Sequence, residues 1–144
     1  YGAILQELNI KSYPKTSGAT GIHICIPLAP KYTYDELKAF LAKISTPVQD
    51  SFPKITTTQR IISKRGSTIL LDYLQNAPGK TLPPPYSLRV TENTTVSAPL
   101  LWEELEDPKL SPDDFNIFNI ENRINKVGDI AGKFLNLRQE LPSL

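Results

Sequence analysis

Three groups of residues have the types and spacing for chemistry. The first is a small-residue loop, Lys15-Thr16-Ser17-Gly18-Ala19-Thr20-Gly21, followed at once by an apolar run that contains the chain's single histidine, His23. Backbone N–H groups and hydroxyls in such a loop can be turned toward an anion. Ser17 and His23 flank the same turn, within reach of one ligand. It is not a Walker A loop, because no Gly-Lys-Ser/Thr opens a helix. The same pattern also fits an ordinary turn, and a lone strand histidine is commonly a hydrogen-bonded structural residue. The second group centres on Asp72, which closes the run Ile69-Leu70-Leu71 and is followed by Tyr73-Leu74-Gln75-Asn76. A carboxylate inside an apolar run is costly to bury unless it is paired, hydrogen-bonded or on a metal. Either Asp72 has such a partner, or alternation turns it into water at a strand end. The third group is basic: Lys54, Arg60, Lys64 and Arg65, with Arg60 and Lys64 four apart on one helical face. It reads as a solvated face or as a contact for a phosphate backbone.

Composition bounds the elements that must position these groups. With 144 residues, 40% hydrophobic and 22% charged, the chain fits one globular domain. A net charge of +1 gives no bulk argument for nucleic acid, so a basic binding surface would be local. Thirteen prolines imply short elements and many loops. The single cysteine, Cys25, allows no disulfide within the chain, reads as a small core residue and suits a reducing, cytoplasmic compartment. No apolar stretch approaches the roughly 20 residues of a membrane span.

The chain contains no methionine and opens on Ile4, Leu5 and Leu8 at helical spacing, as if inside a helix that stops at Asn9. This raises the expectation of a fragment. A strand is expected over 22–28. Thr33 and Glu36 form a capping box ahead of the buried stripe Tyr34, Leu37, Leu41, Ile44 and Val48. Asp35 and Glu36 are then capping and surface acids. A short helix is expected over 56–64, with Ile61 and Ile62 inward. A buried strand is expected over 68–74, a proline-rich extended connection over 77–85, and a strand over 86–90 with Arg89 on the face opposite Tyr86, Leu88 and Val90. Residues 96–100 return, Trp102 opens a helical turn, and Ile117, Ile120, Ile124 and Val127 mark a closing helix. Residues 141–144 are expected to fray. The fold class is mixed α/β (α+β): a small, mostly antiparallel sheet carrying 22–28, 68–74 and 86–90, with helices packed on it.

Taken together and in order, Lys15-Thr16-Ser17-Gly18…Gly21-Ile22-His23, Leu71-Asp72-Tyr73-Leu74-Gln75-Asn76, Tyr86-Ser87-Leu88-Arg89, Val96-Ser97-Ala98-Pro99-Leu100 with Trp102, and Val127-Gly128-Asp129 closely resemble the polymerase (primase-like) domain of bacterial end-joining DNA ligase D. That domain belongs to the archaeo-eukaryotic primase superfamily. The resemblance covers nearly all of residues 1–144. It implies that Ser17 and His23 hold an incoming nucleoside triphosphate, that Asp72 is a metal-binding catalytic aspartate, and that Gln75 and Arg89 contact the nucleotide's phosphates. The cofactor implied is Mg²⁺ or Mn²⁺, hard cations that take carboxylate oxygens, used in pairs about 3.5–4 Å apart. The implied function is nucleotide addition to a 3′-hydroxyl in DNA repair by non-homologous end joining. The implied partners are DNA ends, the N-terminal half of the same domain, a ligase domain and an end-binding Ku-type protein. Arg60, Lys64 and Arg65 are candidates for DNA contact.

Two departures from the family pattern stand out. No Asp-x-Asp occurs in the chain, although the resemblance implies one ahead of the Ser…His loop. The family's usual lysine between Ser-Gly and Gly-x-His is replaced by Ala19 and Thr20. The chain is therefore expected to be the C-terminal part of such a domain, with an incomplete metal site and no activity alone, and with apolar surface left for an associated segment or a second copy. A non-catalytic nucleotide- or DNA-binding module from a split or degenerate member is the alternative. A structural α/β domain with an Asp72–Arg89 ion pair is a third reading.

Overall fold

A computed structural model describes residues 1–143. Helix α1 (Gly2–Glu7) ends as expected: Asn9 takes the left-handed conformation, φ 55°, which its short polar side chain tolerates. Strands β1 (Tyr13–Thr16) and β2 (Ile22–Cys25) pair antiparallel, with Lys15 opposite His23 and Thr16 opposite Ile22. The other edge of β1 is covered by 95–100. Thr16 N–H donates to the Ala98 carbonyl at 2.9 Å and Leu100 N–H to that of Pro14 at 2.8 Å. Beyond it lies 86–89, where the Tyr86 and Arg89 N–H groups donate to the Ser97 and Thr95 carbonyls, both at 2.8 Å. The layer thus runs β2, β1, 95–100, 86–89, and its bridges Lys15–Pro99 and Leu88–Val96 are antiparallel.

Val96, Ser97 and Ala98 in the middle of this layer are fully buried. Val96, Ala98, Leu100 and Phe115 form one core, joined by Leu105, Leu110 and Ile120. The second core joins α1 to α2 (Tyr34–Ser51) through Leu5, Ile10, Phe40 and Ile44, with Ile24 and Ile26 of the β2 segment against it. Each such side chain contributes about 1.5–3 kcal/mol of apolar burial. The Thr33–Glu36 capping box forms as expected, with Glu36 N–H donating to Thr33 Oγ1 at 3.2 Å and Thr33 N–H to Glu36 Oε2 at 2.7 Å. Of the expected stripe, Ile44 and Val48 are buried, whereas Tyr34 is exposed at the first turn and Phe40 takes an inward place. Helices α4 (Ile120–Val127) and α5 (Ile130–Leu135) close the chain.

Four local expectations are corrected. The helix over 56–64 does not form. Thr56–Thr57 is a short strand, β3, and only Ile62–Arg65 is helical, α3. Local side chains take the N–H groups: Gln59 N–H donates to Thr57 Oγ1 at 3.0 Å and Ile61 N–H to Gln59 Oε1 at 3.1 Å, bonds that compete with helix. Ile61 and Ile62 consequently face solvent rather than the core. The strand over 68–74 shrinks to β4 (Ile69–Leu70), which pairs in parallel with β3 in a separate sheet, because the chain turns into a 3₁₀ turn at Tyr73–Gln75 directly after Asp72. Residues 86–90 make one bridge rather than a strand: Tyr86, at φ 64°, breaks the extended backbone. Leu141, the first residue of the stretch expected to fray, is tied. It packs on the first core and donates its N–H to Tyr32 Oη at 2.8 Å, and Gln139 brackets the Lys11 backbone. Residue 144 lies outside the described residues.

Candidate functional site

The hairpin turn between β1 and β2 is held by its own serine. Ser17 N–H donates to the Gly21 carbonyl at 2.8 Å, and Ser17 Oγ accepts from the N–H groups of Ala19 and Gly21, each at 3.1 Å. Two donors occupy the hydroxyl's acceptor side and leave its proton for an outside acceptor. The Ala19 and Gly21 N–H groups are committed within the turn, so the loop offers an anion its serine hydroxyl more than those amides.

Gly18 sits at φ 71°, and a Cβ there would clash with Arg89 Cγ and lie 3.2 Å from the Ser97 nitrogen. The Arg89 stem therefore lies directly over Gly18. The conformation and the close approach together require glycine. Arg89 lies opposite Leu88 and Val90, as alternation expects: those two are exposed and Arg89 is half-buried against the turn, but Tyr86, at φ 64°, leaves the pattern and is half-buried too. Arg89 makes no ion pair among the described residues.

Beneath the turn lies Lys15, 3% exposed. Its Nζ is 3.1 Å from His23 Nδ1, 2.9 Å from the Pro83 carbonyl and 2.5 Å from Ser97 Oγ. Burial lowers the Lys15 pKa, the Cys25 side chain opposes this, and Arg89 adds to it. Burial also lowers that of His23, with Lys15 and Arg89 pushing the same way. At neutral pH the imidazole is uncharged. Burial raises the Cys25 thiol, so it stays protonated beside Lys15, as a small packed residue would.

The structure thus gathers Ser17, His23 and Arg89 around one turn. Asp72 and Gln75 lie on the other segment. Asp72 Oδ2 is 3.5 Å from Arg60 Nη2, a long pair with both side chains partly exposed, and Gln75 Nε2 donates to the Thr81 carbonyl at 3.2 Å. No hydrogen bond or ion pair links either residue to Ser17, His23 or Arg89 among the described residues. The Asp72–Arg89 pair of the structural reading is replaced by Asp72–Arg60. In the basic cluster, Arg60 lies outside α3, while Lys64 and Arg65 form its last turn. No group of three His, Cys, Asp or Glu side chains able to hold a metal occurs among the described residues. Asp72 offers one carboxylate and already meets a guanidinium, so the residues present do not by themselves fit Mg²⁺ or Mn²⁺. Sequence reasoning missed Lys15 and Ser97. The available signal was the hairpin itself: closing it over Ser17–Gly21 puts Lys15 across from His23.

Fold and turn define a mixed α/β domain whose β-hairpin gathers two cations, a serine and a histidine. Residues 1–131 match the family described as LigD, primase-polymerase domain. The chain is 44% identical over 126 residues to the bifunctional non-homologous end joining protein LigD of Bacillus subtilis (strain 168), covering 87% of this chain and 20% of that protein. It is 32% identical over 128 residues to the multifunctional non-homologous end joining protein LigD of Mycolicibacterium smegmatis, covering 89% and 16%. Among solved structures, the polymerase domain from Mycobacterium tuberculosis ligase D in complex with DNA superposes with a TM-score of 0.83 at 28% identity, over 92% of this chain and 45% of that one. The chain belongs to the LigD primase-polymerase domain family, and spans a fifth or less of the curated relatives' length. No helix among the described residues is long and apolar enough to cross a membrane.

Proposed function

We propose that this chain carries the triphosphate-binding part of a nucleotidyltransferase that extends DNA 3′-hydroxyls in bacterial end joining. The observation that supports this most is the convergence of Ser17, His23 and Arg89 on one hairpin turn in a member of the LigD primase-polymerase family. In nucleotidyl transfer the 3′-oxygen attacks the α-phosphate and pyrophosphate leaves. The Ser17 hydroxyl and the His23 ring N–H donate to phosphate oxygens, and Arg89 adds charge-assisted bonds. Gln75 is a neutral donor to the phosphates once it leaves the Thr81 carbonyl. Asp72 is the one carboxylate this chain would bring to a Mg²⁺ or Mn²⁺ centre, which would need further ligands to be complete. DNA ends, the preceding half of the domain, a ligase domain and a Ku-type end-binding protein are the partners this reading assigns. Arg60, Lys64 and Arg65 are its candidates for DNA contact.

A filling-in assay on a gapped duplex with Mn²⁺ tests the division of labour. The 144-residue chain is expected to bind nucleoside triphosphate weakly and to extend nothing. Robust extension by this chain alone overturns the partial-site reading, and nucleotide binding unaffected by Arg89→Ala overturns the triphosphate site. A binding module without catalysis is the second reading, favoured by a turn that is complete without Asp72. It requires DNA binding that persists without metal and falls with salt.

A further inference from the structure

Lys15 is a buried cation with only neutral partners. No carboxylate pairs with it among the described residues, although burying a charge is costly unless it is compensated. An ammonium has three protons, and three acceptors surround this one: His23 Nδ1, the Pro83 carbonyl and Ser97 Oγ. The Ser97 proton is placed elsewhere, in a 2.7 Å bond to the Thr16 carbonyl, so Ser97 can only accept from Lys15. Pro83 has no alternative to accepting. Nδ1 of His23 must then accept as well, and the imidazole proton sits on Nε2. Nε2 makes no hydrogen bond among the described residues, yet no buried side-chain nitrogen or oxygen among them lacks a partner. The Nε2–H edge therefore meets solvent.

We propose that Lys15 is the positioning residue of this turn: from the strand opposite, its ammonium holds His23 as a neutral Nε2–H imidazole whose donor edge is turned outward to a phosphate oxygen. The use of that donor rests on the triphosphate reading above; the tautomer is set in the ligand-free chain. The geometry comes from the β1–β2 register, which puts Lys15 directly across from His23 on one face of the hairpin. The groups facing His23 act in the same direction. Lys15 on β1 and Arg89 on 86–89 both oppose an imidazolium, and the Cys25 thiol near Lys15 is kept neutral by burial. A fixed neutral donor suits a site that must bind and release a phosphate, because the positive charge comes from Arg89 in front and Lys15 behind. It also explains why Lys15 does not stand in by contact for the lysine absent at 19–20: all three of its protons are committed behind the turn.

The test is a long-range ¹H–¹⁵N correlation spectrum of the ¹⁵N-histidine-labelled chain, unambiguous because the chain has one histidine. The wild-type chain is expected to show a protonated Nε2 and an unprotonated, hydrogen-bonded Nδ1, and to remain neutral as pH falls below the ordinary histidine value of about 6.5. Lys15→Met, close in length and volume, is expected to mix the two tautomers and move the titration back up. A wild-type Nδ1–H signal, or protonation at the ordinary value, overturns the proposal, and that spectrum decides even where Lys15→Met does not fold. Titration with ATP examines the reading beneath it. Movement of the Nε2–H signal supports the phosphate role, whereas an unchanged signal at saturation overturns that role while the tautomer stands.

Discussion

The two halves of the expected nucleotide site are built differently. The hairpin half is pinned from all sides: Gly18 is closed over by Arg89, the Ser97 and Thr95 hydroxyls reach the Thr16 and Gly18 carbonyls, and Lys15 has an acceptor for every proton. The Asp72 half rests on two residue pairs of parallel strand and on a 3.5 Å ion pair open to solvent. Around it Ile62 and Ile69 are 73% and 62% exposed. The first arrangement holds its geometry through contacts within these 143 described residues. The second has few buried apolar contacts and exposed side-chain bonds, the marks of a low local stability. The hairpin turn is therefore preorganised within this chain, whereas the Asp72 segment is held by fewer contacts.

The comparison breaks most visibly at glycine. Gly18→Ala puts a methyl into the Arg89 stem and against the Val96–Ser97 backbone at a positive φ, and is expected to cost about 3 kcal/mol or more by urea unfolding. It should also displace Arg89 and weaken nucleotide binding. Gly79, near the Asp72 segment, has φ 74° but nothing within 4 Å of a new Cβ. Gly79→Ala then carries backbone strain alone, about 1 kcal/mol. Equal losses at the two sites would mean that close packing over Gly18 does not set the stability of the turn.

Hydroxyl and amide side chains sharpen the same contrast. Ser97→Ala removes both an acceptor of the buried ammonium and the donor to Thr16, and is expected to cost about 2–3 kcal/mol. Gln75→Ala loses one exposed bond to Thr81 and is expected to stay within about 0.5 kcal/mol. Denaturant midpoints at constant slope measure both. A Ser97→Ala loss no larger than that of Gln75→Ala would show that Lys15 finds water or sheds its proton instead of relying on Ser97.

What the sequence made legible follows from the range of the forces involved. The capping box at Thr33 and the stop at Asn9 are decided within a few residues, and they appear in the structure as read. The Ser17–Gly21 loop was legible as a tight turn ahead of His23, and the nucleotide role proposed for it comes from the family resemblance. Lys15 was not legible, because its role arises from a hairpin register and from Ser97, which is 82 positions away in sequence. The run 69–71 was misread for the opposite reason. Its apolar pattern describes a buried strand, but burial depends on a neighbour, and here Leu71 alone is covered while Ile69 stays in water. Thr57 and Gln59 defeated the expected helix through local side-chain bonds that helical periodicity does not register.

The smallest expected effect is the most informative about the carboxylate half. Arg60 and Asp72 form a long pair with side chains 44% and 32% exposed, and exposed pairs contribute about 0–1 kcal/mol. Arg60→Ala should change stability by no more than about 0.5 kcal/mol, and a double-mutant cycle with Asp72→Ala should give a coupling of the same size. The pair is then a resting contact that leaves Asp72 available to a cation at little cost. A coupling above about 2 kcal/mol would mean that Arg60 locks Asp72 as firmly as Ser97 and His23 lock Lys15. The two halves would then be equally preorganised, and the guanidinium, rather than a metal, would be the partner for which that carboxylate is built.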